Sequence, residues 1–399
     1  MRATSIFISF LVLSLAIPGD VLACSSFTLK ADDVLICGRN LDGPEPVTGI
    51  VAVNNRGVHK SGRSMQWLFC GDEPACAETG AGFGLWSVDA GHPPMSWVSK
   101  YGSITFNYQG LEFPDGGMNE AGLVFQEMTM LETEYPSDDA KAGIFMVLWI
   151  QYIIDTCATV DEVITSARSV AIDGWSWHFF AADAAGNSAV IEFLDGEAVI
   201  HTGEALPHAV LCNSTYTDDL GLLDEYEGFG GTTPLDTEKQ EIDGRFAKGV
   251  TLLGRYSATT QVSPMAYAWG ILDSMSPGFT QSAQVYDVTN RRIEFRTSLA
   301  TKIKSISFSD FNFGCDRPAM VLDLNTDLEG DISAKLEAYT VVNNSRTVSE
   351  SFLKFSRHPE FMGFKAATGV SLESIVARFI EHPGTTSCEV VENTQVSEE

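Results

Sequence analysis

Apolar and polar residues alternate over 24–30, and this reads as a strand; 34–38 reads as its return, with Ala31-Asp32 as a tight turn. A two-residue loop there sets Lys30 against Asp33, and the same register sets Cys24 against Arg39. Residues 101–113 and 122–130 read as further strands, with Asp115-Gly116-Gly117 as the turn between them. The apolar spacing over 143–155 is helical, and Thr159 with Glu162 forms a capping-box signature that opens a second helix to Ala167. Residues 176–182 and 188–193 read as a hairpin, 210–216 as a strand, and 244–253 as a helix. Strands return at 284–286, 293–297 and 302–307. The acidic, glycine-punctuated stretch 217–243 reads as a surface loop. Runs of strands around a helical pair predict an α+β fold of layered sheets rather than a βαβ succession. With no repeat and no linker-like stretch, residues 24–385 read as one domain, followed by an acidic tail over 386–399.

The N-terminus departs from this patterning. Arg2 opens a short basic region, 6–17 is an apolar run, Pro18-Gly19 breaks it, and Val21-Leu22-Ala23 suits leader peptidase. Residues 1–23 therefore read as a secretory signal peptide, which predicts an exported protein, periplasmic or extracellular. Cleavage after Ala23 makes Cys24 the first residue of the mature chain. The same residues also fit a lipoprotein signal, in which lipidation would thioether the sulfur and acylate the amine. That alternative describes a lipid-anchored binding protein. No apolar run after residue 23 is long enough to span a bilayer.

Composition narrows the partners. A chain that is 44% hydrophobic and 20% charged is globular, and its formal net charge of −28 opposes nucleic acid and anionic membranes. The eight cysteines contain no C-x-x-C pair, which excludes zinc-ribbon and thioredoxin-type sites. In an oxidising compartment Cys70 and Cys76 are spaced for a disulfide, while Cys315 and Cys388 have no assignable partner. Cys37, Cys157 and Cys212 lie in or beside apolar runs and read as small buried hydrophobes. Trp86, Trp97 and Trp149 read as core, and the glycine-rich run 80–84 lacks the lysine of a phosphate cradle. No metal or organic cofactor is implied.

Cys24 carries the candidate chemistry. Once freed, it joins a thiol to an α-amine whose ordinary pKa of about 7.7–8.0 suits a base near neutrality, unlike lysine at about 10.4. A guanidinium at Arg39 would favour the thiolate, and Asp42 at the strand end could accept a hydrogen bond from the α-amine. None of the seven histidines lies in a recognisable catalytic motif. A Cys–His amidase built on Cys70 or Cys37 is the other nucleophilic arrangement available.

The segments Cys24-Ser25-Ser26-Phe27, Gly38-Arg39-Asn40-Leu41-Asp42, Lys100-Tyr101-Gly102-Ser103 and 117–123 occur in an order that resembles one family. Asn213-Ser214-Thr215-Tyr216, Gly244-Arg245-Phe246 and 286–297 continue it. Together they resemble the choloylglycine hydrolase and penicillin V acylase family of N-terminal-nucleophile hydrolases. The resemblance implies a four-layer αββα sandwich with antiparallel sheets and hydrolysis of a linear, non-peptide C–N bond in a small-molecule N-acyl amide. It further implies Cys24 as nucleophile and base, Arg39 and Asp42 as groups that tune and orient it, Asn213 as oxyanion donor, and Arg245 as a second active-site arginine. Thr129 stands where bile-salt hydrolases have asparagine and many penicillin V acylases have tyrosine. A homo-oligomer is compatible with the resemblance, although the 213–245 stretch is short beside the assembly extension of bile-salt hydrolases.

Overall fold

Side-chain alternation builds two stacked sheets. The computed structural model describes residues 23–31, 33–73, 76, 94–136, 141–257, 261–357 and 359–388. Residues 1–22, within the expected signal peptide, the run 80–84, Trp86 and residues 389–399 lie outside the described residues. The first sheet has seven strands, in the order Val210–Leu211, Ser25–Ala31, Val34–Asp42, Thr280–Asp287, Arg292–Thr297, Lys304–Ser307 and Gly330–Asp331. The second has nine, in the order Glu197–Thr202, Ser188–Leu194, Trp177–Ala182, Val124–Thr129, Pro114–Asn119, Ser103–Asn107, Ile50–Asn54, Met320–Asp323 and Glu337–Ala338. Pairing is antiparallel throughout both, apart from the contact of Lys304–Ser307 with Gly330–Asp331.

Period-two patterning decides which face each residue serves. Val124, Met128, Phe180, Ala182 and Val190 join the core between the sheets. Their strand neighbours Phe125, Phe179, Ala181, Ile191 and Phe193 join a second core on the outer face of the nine-stranded sheet. Helices Met146–Thr156 and Val160–Ser169 cover that outer face. There Trp149 meets Phe179 and Phe125 edge-on at 4.9 and 5.3 Å between ring centroids, so truncating Trp149 to alanine would cost about 3–5 kcal/mol. Helices Arg245–Arg255 and Pro264–Met275 cover the other outer face, completing an αββα stack. Cys70 is bonded to Cys76 and Cys315 to Cys388, the second bridge joining segments 73 residues apart. The bridge at Cys70 removes the thiol that a Cys–His amidase there would need.

Three expectations are corrected. Ser26 pairs with Arg39, and Ala31 with Val34, so the hairpin is shifted by two residues and Cys24 is not directly opposite Arg39. A shift of two keeps every side chain on its original face, and Cys24 and Arg39 still point to the same side. Asp115-Gly116-Gly117 is not a turn but the middle of the strand Pro114–Asn119. A Cβ on Gly117 would stand 2.5 Å from the Ile104 carbonyl oxygen, so the glycine marks close strand approach, not chain reversal. The strand at 210 stops at Leu211, and Thr215 caps a helix, Tyr216–Leu223, inside the stretch expected to be loop. The helix Pro264–Met275 was also unforeseen, although Ser263 as cap and Pro264 in the first turn are its signals.

Candidate active site

The first hairpin and the helix Arg245–Arg255 converge on the junction of Ala23 and Cys24. Gly244, with φ of 72°, turns the chain into that helix in a conformation a β-carbon would oppose, and Arg245 follows as its first residue. Arg245 is 6% exposed, and its Nη1 donates to the Ala23 carbonyl and, at 2.7 Å, to the Cys24 carbonyl. Its Nη2 donates to Asn213 Oδ1 at 3.2 Å, and its Nη1 stands 3.9 Å from Asp42 Oδ2. Asn213 Nδ2 donates in turn to the Thr129 carbonyl at 2.8 Å, which leaves one amide N–H for another acceptor. Cys24, Arg39, Asp42, Asn213 and Arg245 thus lie in one constellation, with Thr129 joining through its backbone.

Its electrostatics differ from the expectation at Arg39. The Arg39 guanidinium is fully buried and ion-paired to Glu127 through Nη2, while its Nε and Nη1 make no hydrogen bond. Burial pushes the Cys24 thiol up to about 12, helped by the negative charges of Glu127 and Asp42; Arg39 and a backbone hydrogen bond at Asp42 pull only weakly the other way. In the chain with Ala23 still attached, Cys24 is therefore a neutral thiol. Burial also lifts the Asp42 carboxyl to about 7, against the pull of the Thr280 hydroxyl, Arg245 and Arg39. Asp42 Oδ1 accepts from Thr280 Oγ1, but Oδ2 has no hydrogen-bond partner. A buried carboxylate oxygen without a donor is costly, and the Arg245 guanidinium 3.9 Å away offsets that cost without making a hydrogen bond.

The segment bearing Asn213 is clamped on both sides. His178 Nε2 bonds the Cys212 carbonyl at 2.8 Å, and the Tyr216 amide donates to Glu192 Oε1 at 2.7 Å. His178 Nδ1 and His201 Nε2 contact the two Glu192 oxygens at 3.4 and 3.1 Å. Burial alone would raise the Glu192 carboxyl, but the hydrogen bonds from the two histidines and the Tyr216 amide hold it near about 2. Glu127, Thr280, His178 and Glu192 were not foreseen from sequence. The one visible signal was Glu127, an acidic residue inside the otherwise uncharged strand Val124–Thr129. Asn119, in the matched segment 117–123, ties the carbonyls of Ile154 and Cys157 and stands outside the constellation. Among the described residues no cluster of histidine, cysteine and carboxylate groups could hold a metal ion.

The model of linear amide C-N hydrolases, choloylglycine hydrolase family, matches residues 24–291. A penicillin V acylase of Pectobacterium atrosepticum is 31% identical over 181 residues, which are 41% of this chain and 47% of that protein. The chain thus matches about half the length of this curated relative. The solved penicillin V acylase from Agrobacterium tumefaciens has a TM-score of 0.66 at 22% identity, covering 79% of this chain and 98% of that one. A mutant of the conjugated bile acid hydrolase from Clostridium perfringens has a TM-score of 0.53 at 14% identity, covering 79% and 96%. At those identities the two structures establish the fold. With the family model matching residues 24–291, a span that holds every residue of the constellation, the chain belongs to the choloylglycine hydrolase family of linear amide C–N hydrolases.

Proposed function

We propose that this chain is an exported amidase that hydrolyses a linear N-acyl amide through a thioester on Cys24. The observation that carries the reading is the convergence of Arg245, Asn213 and Asp42 on the Ala23–Cys24 junction. These groups gain a catalytic use only when that bond is cut. Cleavage would turn the Cys24 backbone nitrogen into an amine beside its own thiol, and Asp42 Oδ2 is available to accept its hydrogen bond. A neutral thiol held up by burial needs such a base.

The steps balance as follows. The α-amine takes the thiol proton, and the thiolate attacks the substrate carbonyl to form a C–S bond and an oxyanion. The free N–H of Asn213 and a backbone amide would bind that oxyanion. The ammonium then gives its proton to the amide nitrogen, the C–N bond breaks, and the amine departs. Water attacks the thioester, its proton returns to the α-amine, and the carboxylic acid leaves as the thiol is restored. The names of the relatives place penicillin V and conjugated bile acids in the panel of acyl amides to be tried.

Turnover of that panel by correctly processed protein, with Cys24→Ala as control, tests the reading. The expected result is an unmodified mature chain starting at Cys24, active on at least one amide, with activity lost in Cys24→Ala. A diacylglyceryl adduct on Cys24, or full activity in Cys24→Ala, would overturn it.

A further inference from the structure

Beside the constellation lies a cavity of about 830 Å³, walled by Asn213 and Arg245 and by residues of the helices Tyr216–Leu223 and Arg245–Arg255. Five acidic residues line it, Asp219, Glu225, Asp236, Glu241 and Asp243, against two basic ones, Lys239 and Arg245. Both cations are already engaged. Lys239 is paired with Glu241, and Arg245 with Asn213 and the carbonyls of Ala23 and Cys24.

Asp219 stands apart from the other four acids. It is only 4% exposed, it sits in the first turn of its helix, and its Oδ2 makes no hydrogen bond. The nearby Arg245 guanidinium and one contact with the Cys212 backbone favour the charged carboxyl against burial, but its Oδ2 has no hydrogen-bond donor. Burying a carboxylate oxygen without a partner is unfavourable by several kcal/mol, and the fold keeps it nonetheless. An anion entering here would meet this wall as well as the field of a chain whose net charge is −28. An acyl chain would gain little among carboxylates, whereas the amine half of an amide can carry a positive charge.

We propose that this cavity receives a positively charged group on the amine half of the substrate, an ammonium or guanidinium, with Asp219 as its counter-ion. The inference rests on the amidase reading and deepens it: the favoured substrates are N-acylated diamines or other N-acyl amides with a basic amine half. Asp219 and the rim acids Asp243 and Glu225 then set specificity, while Cys24 carries the reaction.

The test uses three amides with one common acyl group, made from putrescine, butylamine and γ-aminobutyrate, on the processed enzyme. Expected kcat/KM falls in the order cationic, neutral, anionic, with the first exceeding the last by at least about tenfold at low salt and the gap narrowing as salt is added. Asp219→Asn is expected to erase most of the cation's advantage over the neutral amide, chiefly through KM. Asp243→Asn, an exposed rim change, should reduce it by a smaller factor and covers the case in which Asp219→Asn misfolds. Equal rates for the three amides, or preference for the anionic one, would overturn the cationic pocket and leave the amidase reading intact. Calorimetric titration with putrescine and with γ-aminobutyrate separates the two failures. Putrescine binding that weakens in Asp219→Asn supports the pocket even if no amide is turned over, which would count against the amidase reading alone. Absence of putrescine binding would overturn the pocket whatever the rates.

Discussion

Glu192 and Asp42 are both fully buried carboxylic acids beside the same constellation, and the fold treats them in opposite ways. Every oxygen of Glu192 is occupied, by the Tyr216 amide and His178 on one side and His201 on the other, and the group is held near about 2. Asp42 has the Thr280 hydroxyl on one oxygen, but the other has no hydrogen-bond donor and only the Arg245 guanidinium at 3.9 Å, and burial lifts the group to about 7. The first acid pins a loop in place and is complete as it stands. The second is complete only if a donor arrives, and in the proposed mechanism that donor is the α-amine of a processed Cys24. Unsatisfied burial, not burial alone, separates the group assigned to chemistry from the group assigned to architecture.

The largest effect expected from this contrast is catalytic. Asp42→Asn should lower kcat by about 10²–10⁴-fold, with a smaller change in KM, since it removes the negative charge that holds and orients the base. Steady-state kinetics on the processed enzyme measure it, and a drop of less than tenfold would break the contrast. Its effect on stability carries the opposite sign to that of a structural acid. The Asp42 carboxyl is raised from 3.8 to about 7, so the stability linked to it is fully present below about 3.8 and is lost as pH rises through about 7. In a chain that retains Ala23, Asp42→Asn should therefore be more stable than the parent at about pH 8, an advantage that vanishes near about pH 4. Urea unfolding at the two pH values checks it.

Glu127→Gln comes next. It strands the buried Arg39 guanidinium and should cost about 3–5 kcal/mol in urea unfolding. It also removes a negative charge from beside the thiol, so the pH midpoint for alkylation of Cys24 should fall. A midpoint that rises would show that Glu127 acts on Cys24 in some way other than through its charge.

Glu192→Gln follows. The carboxyl is depressed from 4.5 to about 2, so its linked stability is present above about 4.5 and is lost as pH falls through about 2. The substitution should cost about 3 kcal/mol near neutrality, and the difference from the parent should close in acid. If Glu192→Gln were instead stabilising at neutral pH, the clamp would not be the satisfied partner in the comparison. The smallest effect belongs to Thr280→Val, which removes one hydrogen bond from Asp42 and should cost about 1 kcal/mol, read as a several-fold loss of kcat.

The sequence was most legible where partners are near neighbours. Cys24, Arg39 and Asp42 lie on one hairpin, so alternation put Cys24 and Arg39 on the same face even though the predicted register was off by two. Asn213 and Arg245 could be picked out only by resemblance, because nothing local in Asn213-Ser214 or Gly244-Arg245 points to residues some two hundred positions away. Glu127 and Thr280 reach Arg39 and Asp42 across 88 and 238 residues, and no local pattern carries such pairings. Gly116-Gly117 was misread because glycine marks both turns and close strand approach, and only the neighbouring strand decides between them. The acidic stretch after Thr215 hid a helix, since Asp218 and Asp219 suit a helix N-terminus as well as a loop.

The central claim is that one cut creates both nucleophile and base at Cys24. The direct measurement is intact mass and peptide mapping of the processed enzyme, quenched in acid during turnover of an N-acyl amide. The account predicts an acyl adduct on the N-terminal peptide that begins at Cys24, and no turnover by a chain still carrying Ala23. An adduct on any other residue, or turnover at the full rate with Ala23 in place, would contradict it.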